Sequence, residues 1–477
     1  MQRLELVEDL PRHERQWPGP IAAVAMVGGF SLLNYLIFRV DLLAFGFFIV
    51  AVSALGLMLV DWPFGAFIAL VISSLIPIFT VRIFAWHAKA EDFVAPLVAL
   101  AIAGQVVIFH RRVHLRMLDW LLIVLIGLNF LSSYINSPQP GATLKWALQF
   151  TLTAISYFVV VQLVVNRGNL HKALNIFLIL GATEVLFGVL CYISYLVAGT
   201  RLGIAFFSYL ENAPGVMGSL WEPNIFGGFS AALAVMFLLY RVTSESRHGW
   251  YSLGFLLASI ALLLSLARQG WIAFAAGLLF LFWYQVSRNK VSFPKVFALA
   301  AIVLLISVGL GFLAAQNDVY LQRRLETMTH PMQEYTFNQR VYHGLMALQH
   351  VREHPWLGWG TNSFSLFWNW QTDEGVAPAW LGNLELRVLH DTGVIGLIIL
   401  TIFLAKLLRD GFVALKSAAD PSSIRDTAAL LAGLIVLLVA FQATDATTLA
   451  FPWIYMGLLA AATRLVPAKS GADGFVQ

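Results

Sequence analysis

The sequence predicts an all-α polytopic membrane bundle of about 12–14 transmembrane helices with one large external loop. Three observations predict it. The 477 residues are 59% hydrophobic and only 12% charged, with mean hydropathy +0.77, where an ordinary soluble domain carries about 25% charge. Apolar runs close to the ~20 residues that cross a hydrocarbon core recur along the chain. Basic residues also segregate between alternate loops, as the positive-inside rule requires. The composition excludes a soluble enzyme and a disordered chain. The only cysteine, Cys191, lies inside an apolar run, which excludes a disulfide scaffold. The net charge is only +4, so a pI of 9.1 is an orientation signal and not a nucleic-acid footprint.

Residues 1–20 are polar, with Arg, Asp and Glu mixed, and read as a cytoplasmic segment rather than a cleaved signal peptide. Apolar segments then follow at 21–38, 42–60, 64–81, 92–110, 117–135, 147–165, 173–198, 221–240, 250–267, 270–286 and 296–315. These place transmembrane helices 1–11 within 21–315. Residues 316–389 form the large external loop, and runs at 390–408, 427–443 and 449–463 place helices 12–14 within 390–463. Residues 464–477 read as a cytoplasmic tail. With the N-terminus inside, 19 of the 30 Lys and Arg fall on the cytoplasmic side, Arg111 and Arg112 among them. Six fall in short external segments, and five (Arg323, Arg324, Arg340, Arg352 and Arg387) in the long loop. Omitting or adding one span would put a basic cluster outside. No internal repeat is visible, which disfavours transporters built from inverted halves.

The long loop is rich in Trp, Tyr, Phe and His, so it is expected to be ordered and functional. Within Asn338–Glu353, Val341, Leu345, Met346, Leu348 and Val351 recur at roughly helical spacing. That spacing predicts an amphipathic helix at the membrane surface, ended by His354-Pro355. Trp356-Leu357-Gly358-Trp359-Gly360 follows as a turn. Its tryptophans suit a bilayer interface or the stacking of a sugar ring. No HExxH, DxD, Walker loop or GxSxG is present, and the loop histidines 330, 343, 350 and 354 have no metal-ligand spacing.

Four segments in order carry a resemblance. They are Trp221-Glu222-Pro223-Asn224-Ile225-Phe226-Gly227 and Leu264-Ser265-Leu266-Ala267-Arg268-Gln269-Gly270-Trp271, then Arg340 followed by 355–364, then Asn383 to Leu397. Together, over roughly 215–400, they resemble the O-antigen ligase and polymerase superfamily of integral membrane glycosyltransferases. One position departs: the family usually has a histidine before the asparagine of the last segment, and Gly382 stands there. The departure points towards an exopolysaccharide-type polymerase or an atypical ligase, and protein O-oligosaccharyltransferases share the superfamily.

The resemblance implies a polyprenyl-diphosphate-linked glycan donor and a glycan, lipid or protein acceptor, on the outer face of the cytoplasmic (inner) membrane. It also implies inverting transfer with no metal and no cofactor. The chemistry then needs a permanent positive charge for the leaving diphosphate, which arginine supplies in bidentate form. Arg268, Arg340 and Arg387 are the candidates. The acceptor hydroxyl needs a base within hydrogen-bond reach, for which Glu385 and Asp391 rank ahead of His390. Glu222, Asn224 and Asn383 are supporting candidates, with Glu222 either a base or the ion-pair partner of an arginine. Glu184, deep in an apolar segment, is functional or paired with an arginine of another helix. Asp445 is expected to cap a helix. The alternatives are a lipid-linked oligosaccharide flippase or other transporter, whose polar residues should lie at the bilayer midplane, and a membrane scaffold.

Overall fold

The computed structural model describes residues 62–78, 80–83, 86–110, 112–113, 115–207, 212–243, 249–287, 335–372, 375–418 and 420–465, with isolated positions 53, 56 and 323. Apart from those isolated positions, the expected spans at 21–38, 42–60 and 296–315 lie outside the described residues, as does Arg324. The order is α1 (Phe64–Leu75), β1 (Thr80–Ile83), β2 (Trp86–Lys89), α2 (Glu91–Phe109), α3 (Met117–Ile135), α4 (Pro140–Leu163) and α5 (Arg167–Ala198). Then come β3 (Ile204–Phe207), β4 (Ala213–Val216), α6 (Pro223–Thr243), α7 (Gly249–Leu264), α8 (Arg268–Ser287) and α9 (Tyr335–His350). The chain continues as α10 (Phe364–Phe367), β5 (Asn369–Thr372), β6 (Gly375–Pro378), α11 (Leu384–Ser417), α12 (Pro421–Ala440) and α13 (Ala450–Leu465). The strands form three separate antiparallel hairpins. The protein is an all-α polytopic membrane bundle: among the described residues, eight helices are long and apolar enough to cross a membrane.

Several helices begin before the apolar runs that announced them, and the starts of α4, α5 and α11 show why. Pro140 occupies the first turn of α4, where its missing N–H is no loss. The Asn166 side chain caps α5 by accepting the Asn169 N–H at 2.8 Å. Asn383 does the same for α11 through the Leu386 N–H at 2.9 Å. Each helix therefore runs past its apolar stretch into polar residues. The run at 64–81 is corrected the other way. Only 12 residues are helical, because Ile76-Pro77 breaks the helix and β-branched Thr80 and Val81 enter a hairpin. The loop helix is Tyr335–His350, ending before Val351.

α6 is the centre of the bundle, with nearly every residue from Phe226 to Tyr240 buried. Small residues allow α8 and α12 close to it: a Cβ on Gly277 would lie 2.6 Å from both Val235 and Val436 side chains.

One end of the bundle gathers basic residues on helix C-termini. Arg464 donates to the Val161 and Val164 carbonyls at 2.9 and 2.6 Å, and Arg116 reaches Thr463 at 3.3 Å. The starts of α2, α6, α8, α11 and α13 lie at the opposite end, joined there by the end of α12. The candidate residues are at that end.

Candidate active site

The turn between α12 and α13, residues 441–449, is the hub of this end. Arg340 Nη2 donates to Thr444 Oγ1 at 3.5 Å, and Gln269 Nε2 donates to the same oxygen at 3.4 Å. Arg387 Nε lies 2.8 Å from Asp445 Oδ2, and Arg387 Nη2 donates to Thr447 Oγ1. Lys89 Nζ donates to the Thr448 carbonyl at 2.7 Å, and Glu91 accepts the Ala450 N–H at 2.8 Å. The sequence candidates Arg340 and Arg387 thus touch one turn directly. Arg268 borders it through its neighbour Gln269.

Their surroundings differ. Arg268 opens α8 and is half-buried. It follows Leu266, whose φ of 54° is rarely adopted by a bulky residue. Ser265 holds that turn, its hydroxyl donating to the Leu262 carbonyl at 2.7 Å and accepting the Ala267 N–H at 3.2 Å. Arg340 is half-buried on α9. Arg387 is only 8% exposed. Its guanidinium is paired with Asp445 and braces the turn. Asp445 also accepts the Thr447 N–H at 2.8 Å. It closes a turn, as expected of a cap, but its chief partner is an arginine 58 residues away in sequence.

Glu385 lies beside this hub. Both of its oxygens are 3.0 Å from Gln442 Nε2, and Asn383 Nδ2 reaches Gln442 Oε1 at 3.0 Å. Leu384 N–H donates to the Phe441 carbonyl at 3.0 Å. The start of α11 is therefore zipped to the end of α12. Gly382 explains its own identity here, because a Cβ at this position would lie 2.4 Å from the Ala443 carbonyl oxygen. A histidine would have to displace the hub turn.

His390 and Asp391 fall elsewhere. They lie about 9 Å further down α11 than Glu385, at 1.5 Å per residue. There the helix breaks at Gly393 (φ 68°, ψ −168°). The carbonyls of His390 and Asp391 lose their helical partners and accept the N–H groups of Trp359 and Gly360 at 2.8 and 2.9 Å. The N–H groups of Val394 and Ile395 turn to the carbonyls of Pro355 and Trp356 at 2.8 and 3.3 Å. The third and fourth sequence segments are thus one structural unit, in which a loop replaces one turn of helix hydrogen bonds. The Ser132 hydroxyl and the Asn136 amide of α3 tie it down, on the Asp391 and Gly358 carbonyls at 2.7 and 2.8 Å.

His390 is fully buried. Its Nε2 is 3.1 Å from His350 Nδ1, and its Nδ1 is 3.4 Å from Ser363 Oγ. His350 stacks on Trp359 at 4.1 Å, which occupies one tryptophan considered for sugar stacking. The exposed face of α9 carries Val341, Leu345 and Leu348, while His343, Gly344 and Ala347 pack inward. Burial, then the neighbouring His390 and His354, push the His350 imidazole down to about 4. A histidine depressed on folding stabilises above its unfolded value, ~6.5, and that contribution fades as pH falls towards the folded value. Acidification from pH 6.5 to 4 is therefore expected to loosen the loop, read as faster limited proteolysis. His350→Phe should flatten the response, leaving a smaller part from His343, which burial also lowers.

Near the start of α6, Glu222 Oε1 accepts the Asn224 amide at 2.6 Å, so among the described residues Glu222 is seen with an asparagine and not with an arginine. Among the described residues Glu184 is not paired with an arginine either. Its carboxylate accepts the N–H and the hydroxyl of Ser219, both at 2.7 Å.

Sequence reading missed Gln269, Gln442, Thr444 and Thr447, and the Lys89–Glu91 pair (2.8 Å) beneath the hub. The available signal was the polar run Thr444-Asp445-Ala446-Thr447-Thr448 between two apolar segments.

Among curated proteins no match to the chain is found. Residues 253–401 match the family model described as O-Antigen ligase, a stretch containing Arg268, Arg340, the 355–360 loop, Arg387 and the break at Gly393. Over this segment, about a third of its length, the chain is similar to the O-antigen ligase family.

Proposed function

We propose that this protein is a membrane glycosyltransferase that moves a glycan from a polyprenyl diphosphate carrier to an acceptor hydroxyl. It would act at the outer face of the cytoplasmic membrane, as a ligase or a polysaccharide polymerase. One observation carries this reading: Arg268, Arg340 and Glu385 border a single polar turn, at the end of the bundle opposite Arg116 and Arg464. The positive-inside rule puts the Arg116 end in the cytoplasm and the hub outside. Polar residues gathered at one end also favour a transferase over a transporter with a midplane site.

In this scheme Arg268 and Arg340 hold the diphosphate, while Arg387, held by Asp445, keeps the hub turn in place. The Glu385 carboxylate takes the proton of the acceptor hydroxyl. The hydroxyl oxygen bonds to the anomeric carbon, and the bond from that carbon to the diphosphate oxygen breaks. Polyprenyl diphosphate leaves with the electron pair, stabilised by the arginines. His390 and Asp391 act through the loop unit and do not touch substrate.

The test is transfer by purified protein supplied with lipid-linked oligosaccharide and acceptor, without ATP and with EDTA. Arg268→Ala and Arg340→Ala are each expected to lower transfer by about 10²-fold, the scale of removing one charge-stabilising donor. Glu385→Gln should abolish it. Asp391→Asn, as a folded protein, should remain within about tenfold (~1.4 kcal/mol) of the parent. Loss with Asp391→Asn but not Glu385→Gln would move the base to Asp391. Lipid crossing liposomes without any product would replace the transferase with a flippase.

A further inference from the structure

Trp221 is the least conventional residue at the hub end. Its φ of 76° lies in the left-handed region, an outlier for a bulky side chain, and the residue is 51% exposed. Such strain persists only where the surroundings over-determine it, and here they do. On one side Ser219 is fixed by both oxygens of Glu184, and its hydroxyl also lies against the Leu75 carbonyl. Leu220 between them is fully buried. On the other side Pro223 opens α6. The intramembrane acid that the catalytic scheme leaves unused thus secures the segment that displays the tryptophan.

The ring is also backed. Lys89 Nζ lies 5.9 Å from its centroid, within cation–π range. That ammonium cannot swing away, because it is 3% exposed and held by Glu91 and the Thr448 carbonyl. Beside the ring stands the Glu222–Asn224 pair, in which one carboxylate oxygen takes the amide. A rigid aromatic plane open on one side, with a carboxylate and an amide adjacent, fits a pyranose. The C–H face of the sugar covers the ring, and its hydroxyls find polar groups that fix orientation.

We infer that Trp221, with Glu222, forms a sugar-binding subsite for the glycan portion of the donor. Lys89 links it to the hub turn that Arg340 also touches. The inference rests on the proposed transferase function, and two measurements separate their fates. The first is saturation-transfer NMR with protein in nanodiscs. The probe is the oligosaccharide released by mild acid from the lipid-linked donor of the cells that make the protein. Binding seen with the parent should be lost in Trp221→Ala, restored by Trp221→Phe, and unchanged in Trp356→Ala, whose exposed ring serves as an interfacial control. The second is transfer kinetics. Trp221→Ala should raise the donor KM about tenfold, equivalent to ~1.4 kcal/mol, with kcat within about twofold. Probe binding by Trp221→Ala equal to the parent would overturn the subsite and leave Trp221 an interfacial anchor. Ring-dependent binding with no transfer activity would uphold the subsite and sink the transferase.

Discussion

Arg387→Ala is expected to destabilise the protein by about 3–5 kcal/mol, the scale of breaking a buried ion pair by removing one partner. The reason is Asp445, whose side chain is 2% exposed and 2.8 Å from Arg387 Nε. Without the guanidinium it becomes an uncompensated charge inside the hub. Arg387→Ala with Asp445→Ala removes both charges and should recover at least half of the loss, measured as thermal unfolding in nanodiscs. The double variant also separates two roles for Arg387. If the arginine only braces the turn that Arg340 and Gln269 touch, transfer should return to within about tenfold (~1.4 kcal/mol) of the parent. Transfer that stays down by about 10²-fold in a stable double variant would show that Arg387 meets the diphosphate itself.

This difference between charge in the sequence and charge in the site governs what could be read beforehand. α2 and α3 begin where apolar runs meet Glu91-Asp92 and Arg116, so their limits are written in composition. The starts of α4, α5 and α11 are not, because caps at Asn166 and Asn383 carry helix beyond the hydrocarbon-length run. Arg268, Arg340 and Arg387 stand out as cations among apolar residues, and all three border one turn. What they border was invisible. Thr444 is neutral, and it meets Arg340 across 104 residues and Gln269 across 175, distances over which helical periodicity says nothing. Among ionisable candidates, the sequence could not separate Glu385, at the hub, from Asp391, buried nearly two turns away. Only the path of α11 does so. Gly382 is a further case: it reads as a missing histidine, while the fold shows a backbone approach that excludes a side chain.

Gly393→Ala is expected to detach the loop and destabilise the protein by about 4 kcal/mol or more. The φ/ψ at this position belongs to a region open essentially to glycine, worth about 1–3 kcal/mol of strain for another residue. Space makes matters worse: an added Cβ would sit 2.3 Å from the carbonyl carbon and oxygen of Trp356. Those atoms are backbone and cannot rotate aside. If they move, the exchange of hydrogen bonds between 355–360 and 390–395 goes with them. Four backbone groups of α11 would then face an apolar interior without partners, at about 1–3 kcal/mol for each unsatisfied group. Gly358→Ala attacks the same unit from the loop side, since its Cβ would lie 2.5 Å from the His390 carbonyl oxygen. Both variants should expose residues 351–363 to protease at temperatures where the parent resists. Both should also lose transfer although neither glycine touches substrate, because α9, which carries Arg340, hangs from this loop. A Gly393→Ala protein with parental protease resistance would mean that α11 can straighten while the loop stays in place. The 355–360 segment would then be a passenger on the helix, and not the anchor that holds Arg340 against Thr444.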